Sequence, residues 1–455
     1  GGPGMTRYLK ELKPSSIHDI NAMVALYRPG PIESIPMYIQ RKHNPFLVRY
    51  LDPRMKEFLD QSYGITVYQD DVMLIAIKLA GYSWLEADTL RKAMGKKIPK
   101  EMAAQKEKLI EGLKRHGMPH DTAITLWQLI EPFAAYGFNK SHAASYGRVA
   151  YQTAYMKANF PGEYMTAVLT ADSGDTEKIA EIIAECVRMG IPVLPPDVNE
   201  SFAKFTLIKG EGGKNIIRFG LETIKNVGEN IVRAIIEERE TRGKYKTIAD
   251  FTERVQHKDF NKKSLEALIK CGALDIFGER NRMLGNLDTL LEYNRESQRA
   301  ARGGQTSLFS MIPNMETPSI TLRAHEPASK REKLQWEKEL LGLYVSEHPL
   351  EEHAEKLKAK NALPLKELLR YSANHMVRVG GLVSGIKKII TKSGEPMLFV
   401  KMEDTTGRVE VLVFPRVLAQ NSEIWQEEKI LIVRGRLSDK DGTMKILCEE
   451  AMEIA

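Results

Sequence analysis

The last 80 or so residues constrain this chain most, because their patterning belongs to a different class from everything before them. Five β-rich runs follow one another, Met376–Ile386, Pro396–Glu403, Arg408–Phe414, Lys429–Leu437 and Thr443–Glu449. Turn signals separate them at Lys392-Ser393-Gly394, Thr405-Thr406-Gly407 and Asp439-Lys440-Asp441-Gly442. Between the third and fourth runs, Pro415 to Gln426 is long enough for one helix. Three strands, a helix and two further strands is the order of the OB-fold, a small barrel. Such a barrel either binds single-stranded nucleic acid or serves only as a packing module. Its candidate DNA-binding cations are Lys387, Lys388 and Lys392.

At 455 residues the chain is too long for one hydrophobic core, so several domains are expected. Residues 1 to about 205 read as mainly helical, with apolar residues three and four apart and breaks at Pro29-Gly30-Pro31, Gly95, Pro119 and Pro161-Gly162. Ile191 to Asn199, IPVLPPDVN, holds too many prolines for a helix interior and marks a boundary or crossing loop. A second helical region, about 206 to 300, is broken by short glycine turns. From Ala301 to about Lys330 the composition turns to Gly, Ser, Pro and Thr without periodicity, which reads as an exposed linker. The expected fold class is therefore multidomain and mainly α-helical, ending in a β-barrel.

Hydrophobic residues make up 43% and charged residues 28%, an ordinary soluble balance. No apolar run approaches the roughly 18 residues that span a bilayer, and the Gly1-Gly2-Pro3-Gly4 start has no signal pattern. The expectation is a cytosolic chain without a membrane partner. Cys186, Cys271 and Cys448 lie far apart with no CxxC partner, and no zincin-type HExxH motif occurs. Neither a disulfide framework nor a zinc site is supported.

The net charge of +6 is concentrated. Arg91 to Arg115, RKAMGKKIPKEMAAQKEKLIEGLKR, holds nine of the 66 basic and three of the 60 acidic residues, so the rest of the chain is balanced. This window is either a phosphate-binding surface or a solvated helix face.

Tyr136 to Pro161, YGFNKSHAASYGRVAYQTAYMKANFP, is the most informative stretch. Ser141 is a candidate N-cap for a helix running to about Ala158, with Asn139, Lys140 and His142 at its N-terminal end. Unpaired amides and the positive dipole end favour an anion there, and an ammonium strengthens the site. Arg148, Tyr151 and Tyr155 follow at three- and four-residue spacing. The face suits a nucleotide; the competing reading is a core helix with buried tyrosines and a basic cap.

Gly220 to Glu240, GLETIKNVGENIVRAIIEERE, has the form of a helix-hairpin-helix, with Ile224, Lys225, Val227 and Gly228 around the hairpin. Glycine at Gly228 is expected to make the tight turn and present amides to a DNA phosphate. LEALIKCGALD at Leu265 to Asp275, centred on Gly272, is a second candidate. Both also read as purely structural hairpins. Gln305-Thr306-Ser307-Leu308-Phe309, flanked by glycines, places large apolar residues where no core is expected. They either dock on a partner or fill a local pocket.

FNKSHAASY, ALYRPGP at Ala25 to Pro31, YGITVYQDDVM at Tyr63 to Met73, LRKAMGKK at Leu90 to Lys97 and LPPDVNES at Leu194 to Ser201 resemble, in order, the fingers of the polymerase III alpha family of bacterial DNA polymerases. The resemblance runs from about Met5 to the C-terminus. It implies fingers over 1–205, helix-hairpin-helix DNA binding over 206–300, a linker and helix with a clamp motif over 301–372, and an OB-fold over 373–455. It further implies that Arg91, Lys92, Lys96, Lys97, Asn139, Lys140, Ser141 and His142, with Arg28 of YRPGP, face the incoming nucleoside triphosphate. Gln305, Leu308 and Phe309 resemble the pentapeptide that docks on the sliding clamp. Implied partners are double- and single-stranded DNA, dNTPs, the clamp and other replicase subunits.

Nucleotidyl transfer in that family needs Mg²⁺ held about 4 Å apart by carboxylates of the palm, which belong to sequence upstream of this chain. Asp439-Lys440-Asp441 sits in a turn, and Asp70-Asp71 lies in a helix where adjacent side chains diverge by about 100°. No catalytic residue or metal ligand is nominated, and this chain alone is expected not to extend primers. The alternatives are a non-catalytic DNA- and clamp-binding adapter, an error-prone translesion paralogue, and an RNA-binding protein with an anticodon-binding barrel.

Overall fold

The helical periodicity of the first part resolves into helices whose apolar stripes close on two cores. The computed structural model describes residues 2–96, 99–134, 137–302, 320–391, 393–439 and 443–454. The chain divides into two compact units, Gly1–Pro161 and Gly162–Ala455. No helix among the described residues is long and apolar enough to cross a membrane. The three cysteines are buried free thiols.

In the first unit the helices are α1 (Pro3–Leu12), α2 (Ile17–Leu26), α3 (Ile35–His43), α4 (Lys56–Leu59), α5 (Gln69–Ala80), α6 (Trp84–Lys96), α7 (Pro99–Arg115), α8 (His120–Ala134) and α9 (Lys140–Asn159). One core gathers Leu59, Ile75, Leu79, Leu90, Leu109, Leu113 and Trp127 from α4 to α8. The other gathers Leu12, Met23, Leu26, Ile35, Tyr38 and Ala143. Gly95, expected as a break, lies one residue inside the end of α6.

Asp71 decides how α5 starts. Its Oδ2 accepts the Val67 and Tyr68 amides at 2.8 Å each, and the side chain is 2% exposed. Burial pushes this carboxyl up to about 6, against the two amide hydrogen bonds, which pull it down.

The second unit opens with α10 (Pro161–Ala171) and α11 (Thr176–Arg188). A small sheet follows, β1 (Val193–Leu194), β2 (Thr206–Lys209) and β3 (Asn215–Arg218), in the order β1-β3-β2. The helical reading from residue 206 missed this sheet, because runs of four residues or fewer carry too little alternation to register as strands. The boundary expected near residue 205 falls inside this unit. Next come α12 (Glu229–Arg242), α13 (Ile248–Arg254), α14 (Lys262–Lys270), α15 (Arg280–Leu284), α16 (Leu287–Arg302), α17 (Lys330–Leu341) and α18 (Ala354–Ala359).

Part of the expected linker is pinned to these helices. Arg323 N–H donates to Asn286 at 3.0 Å and Ala328 N–H to Glu279 at 2.9 Å, with Ala328 buried. Behind it, buried Glu337 accepts the Val345 and Ser346 amides and approaches Arg280 at 3.5 Å.

The C-terminal strands are β4 (Met376–Ile390), β5 (Pro396–Glu403), β6 (Arg408–Val413), β7 (Ile430–Ser438) and β8 (Lys445–Glu453), with α19 (Pro415–Gln420) between β6 and β7. They close a barrel in the order β4-β5-β6-β8-β7, the topology of an OB-fold. Alternation fills it with Val377, Val379, Val400, Met402, Val411, Leu431, Val433 and Ile446. At the bulge between Arg434 and Gly435, β7 comes so close to β8 that a Cβ on Gly435 would overlap the Leu447 carbonyl oxygen.

Two stability outcomes follow. Gly435→Ala must push β7 off β8, costing about 1–3 kcal/mol or more by denaturant titration, whereas an unchanged midpoint would mean the strands can part freely. Asp71→Ala leaves two buried amides unsatisfied, at about 1–3 kcal/mol each. Because the folded pKa of Asp71 lies above its unfolded value of 3.8, the contribution of its protonated form is complete below about pH 4 and lost as pH rises through about 6. Wild type should therefore lose stability relative to Asp71→Asn between those values, and a pH-independent difference would refute the buried carboxyl.

Candidate nucleotide and nucleic-acid interface

The start of α9 is built from three sides. Tyr68 pairs with Phe138 in a short parallel bridge, and the Gln69 amide donates to the Phe138 carbonyl at 3.0 Å. Asp70, next to the buried Asp71, accepts the Lys140 amide at 3.2 Å. Asn139, not Ser141, is the N-cap: its Oδ1 accepts the His142 amide at 2.8 Å, and the Ser141 hydroxyl donates to that same oxygen at 2.6 Å. Asn and Ser are comparable caps, so the sequence alone did not separate positions two residues apart.

Arg28, from the turn after α2, comes to this end of the helix and lies over the Phe138 ring, 4.3 Å from its centroid. Lys140 Nζ is 5.6 Å from the Tyr68 ring centre, and the His142 ring packs against Phe138 and Tyr146 with centroids 5.2 and 4.7 Å away. Arg28 and Lys140 thus lie over aromatic faces beside one helix N-terminus, with the His142 ring packed next to them. An aromatic face orders a cation without neutralising it.

Farther along, α9 buries only Ala143 and Gly147, small residues that let it lie close on α2. Tyr146, Tyr151 and Tyr155 are at least half exposed, which overturns the reading of a core helix with buried tyrosines. The rings of Tyr151 and Tyr155 stand 6.4 Å apart along the open face.

Arg91 and Lys92 lie in the second half of α6, which packs on α5 after the short Gly81–Ser83 connection. Both are tied to Asp88, at 2.7 Å each, and they hold its carboxyl below the usual range, Lys92 foremost. Lys96 closes α6, and Lys97 lies outside the described residues. In α7, Lys108 pairs with Glu86 at 2.8 Å, so the basic window is partly neutralised by local carboxylates.

In the second unit the hairpin before α12 corrects the expectation for Gly228. Its φ of −81° suits any residue, while the left-handed position is Asn226, at φ 71°. The preceding helix is a single 3-10 turn, Leu221–Thr223. Gly228 and Lys225 are nonetheless exposed where α12 begins. Gly272 does need glycine, at φ 86° beside the Arg280 guanidinium, but it is buried and its amide donates to the Ile269 carbonyl at 3.0 Å. That amide is not open to a phosphate.

On the barrel, Lys387 and Lys388 are exposed on β4, and Lys392 lies outside the described residues, as do Gln305, Leu308 and Phe309. Lys387 lines a groove of about 830 Å³ across β4, β5 and β6, with Phe399, Lys401, Arg408 and Lys445. Sequence reasoning passed over these four, although the outward alternation of β5 against inward Leu398, Val400 and Met402 pointed to Phe399 and Lys401.

Among the described residues no three His, Cys, Asp or Glu side chains come together as a metal site. Asp71 is committed to backbone amides and Asp70 to the Lys140 amide, so neither fits a pair of Mg²⁺ ions.

A family model described as the bacterial DNA polymerase III alpha subunit finger domain matches residues 1–117. A helix-hairpin-helix motif matches 190–284, and an OB-fold nucleic acid binding domain matches 377–454. The chain is 41% identical over 455 residues to the DNA polymerase III subunit alpha of Thermus aquaticus, covering 98% of this chain and 36% of that protein. It is 36% identical over 462 residues to that of Vibrio cholerae, covering 99% of this chain and 40% of that protein. It therefore spans little more than a third of the length of the curated relatives it matches. Carrying finger, helix-hairpin-helix and OB-fold modules in order, with relatives of one description along nearly its whole length, the chain belongs to the bacterial DNA polymerase III alpha-subunit family as a portion of that subunit.

Proposed function

We propose that this chain is the nucleotide- and DNA-handling part of a replicative DNA polymerase of the alpha-subunit type, acting in the cytoplasm beside other replicase subunits. The observation that carries the reading is the convergence of Arg28, Lys140 and His142 around the N-terminal end of α9. Aromatic rings pack against these side chains, with the helix dipole behind them, an arrangement suited to the triphosphate of an incoming dNTP. Asn139 and Ser141 set the start of the helix, and Arg91, Lys92, Lys96 and Lys97 would add positive charge. In nucleotidyl transfer the negative charge grows on the departing pyrophosphate, and fixed cations there stabilise the transition state more than the ground state. Carboxylates for Mg²⁺ are assigned to no described residue, so no metal-assisted step is routed through this chain.

The exposed start of α12 at Gly228 and Lys225 and the barrel groove suit sequence-independent contacts to DNA, the groove to a single strand. Gln305, Leu308 and Phe309 would tether the assembly to the sliding clamp, where weak docking is multiplied by the DNA threaded through the ring.

Two outcomes test this. In the polymerase carrying this segment, Lys140→Ala or His142→Ala should each remove a charge-assisted hydrogen bond worth about 1.5–3 kcal/mol, lowering kcat/KM for dNTP roughly 10- to 150-fold. Steady-state primer extension reads the loss, and unchanged kinetics in a folded Lys140→Ala protein would sink the assignment. Replacing both Leu308 and Phe309 with alanine should abolish clamp binding by calorimetry, since each contributes about 1.5–3 kcal/mol of apolar burial, while DNA affinity stays intact. Equal clamp binding by the double variant would reduce the pentapeptide to a linker.

A further inference from the structure

The cations of the barrel groove are not equally available. Arg408 holds Glu403 at 3.0 Å, and Glu403 is only 5% exposed, so that pair belongs to the barrel wall. Lys445 meets Glu410 at 3.1 Å, and the two face each other in the β6–β8 register. Lys401 is different: its partner, Glu177 at 3.0 Å, comes from the first turn of α11, 224 residues away in sequence. Both side chains of this pair are more than 60% exposed.

The approach of α11 is set by backbone geometry. Gly342, the left-handed cap of α17 at φ 83°, lies so close to the Thr176 methyl that a Cβ there would overlap it. Thr176 and Gly342 both border the groove, so Glu177 is presented from a fixed wall. The carboxyl of Glu177 is held below its ordinary range chiefly by the Lys401 hydrogen bond.

We propose that Glu177 guards the groove: it occupies Lys401, and a nucleic-acid strand enters by exchanging a backbone phosphate for this carboxylate. The inference rests on the reading of the barrel as a single-strand-binding face. An exposed ion pair of this kind is weak and screened by salt, so a phosphate of similar charge can replace it. The exchange has a signature. Where a phosphate merely replaces a carboxylate, Lys401 gains no net counter-charge, and that contact adds little to the salt dependence of binding. With the carboxylate gone, the same contact should add about 0.7 to the slope of log K against log salt for a single strand.

The test uses the full chain and a fluorescent deoxythymidine oligonucleotide, with anisotropy followed across a salt series. Glu177→Gln is expected to bind about two- to fivefold more tightly at low salt, the range of one exposed ion pair, with the steeper slope. Glu177→Asp, which keeps the charge, should stay near wild type. Lys401→Gln should stay near wild type, and adding Glu177→Gln to it should give neither the gain nor the steeper slope, because the guarded cation is gone. Wild-type affinity and slope in Glu177→Gln would overturn the proposal, as would an equal gain in the Lys401→Gln background, and either would leave strand binding by the barrel standing. If folded wild type and every variant fail to bind the oligonucleotide, the reading of the barrel falls and this inference with it.

Discussion

Asp70 and Asp71 stand side by side at the start of α5 and do different work because successive side chains on a helix diverge. Asp71 turns inward and takes the Val67 and Tyr68 amides, which fixes the extended segment running into the helix. Tyr68, so placed, pairs with Phe138, and Asp70 on the outer side takes the Lys140 amide. The first turn of α9 is thereby positioned from α5 by backbone and carboxylate hydrogen bonds. The ring faces under Arg28 and Lys140 belong to Phe138 and Tyr68, the two bridged residues themselves. If Asp71 lets go of the segment before α5, the platform for both cations shifts with it.

The chain holds its exposed cations in two ways, with opposite electrostatic consequences. At α9, Arg28 and Lys140 rest on aromatic rings, whose quadrupoles orient a cation while leaving its charge to act on an arriving anion. On α6 and on the barrel, several cations are instead paired with carboxylates: Arg91 and Lys92 with Asp88, Lys401 with Glu177, Arg408 with Glu403. A paired cation binds an anion only by exchange, so its gain is the difference between two similar interactions. The first arrangement suits tight, localised recognition of a highly charged group. The second suits a polymer held loosely at many points and released easily.

What was legible in the sequence follows the length and period of each signal. The barrel was readable because its strands are long β-rich runs, up to 15 residues, set apart by turn signals, so the strand–helix–strand order could be read from the runs. The β1-β3-β2 sheet was not, since strands of two to four residues give no period. The α9 motif was read to within two residues, but Asn139 rather than Ser141 caps it, where Tyr68 and Asp70 bond to the start of the helix from distant sequence. Gly228 misled because glycine in a hairpin suggests a left-handed turn, whereas Asn226, among the side chains that best tolerate that conformation, takes it instead. Glu177 could not have been found at all, because its partner lies 224 residues away.

The exposure of α9 gives its order a direction. Over 20 residues it buries only Ala143 and Gly147, both in its first half. A helix of this length gains little from propensity alone and depends on tertiary contacts. Those contacts are concentrated at the N-terminal end: the Asn139 cap, the Asp70 acceptor, the Phe138 bridge, and the two small residues seated on α2. In the second half Tyr151, Tyr155 and Met156 are exposed, and the Asn159 side chain donates to the Tyr155 carbonyl at 2.9 Å. Local stability should therefore fall along the helix from Asn139 toward Asn159. The end that carries Lys140 is the one these contacts anchor, and a cation contributes most to charge stabilisation where it need not be reordered when the anion arrives.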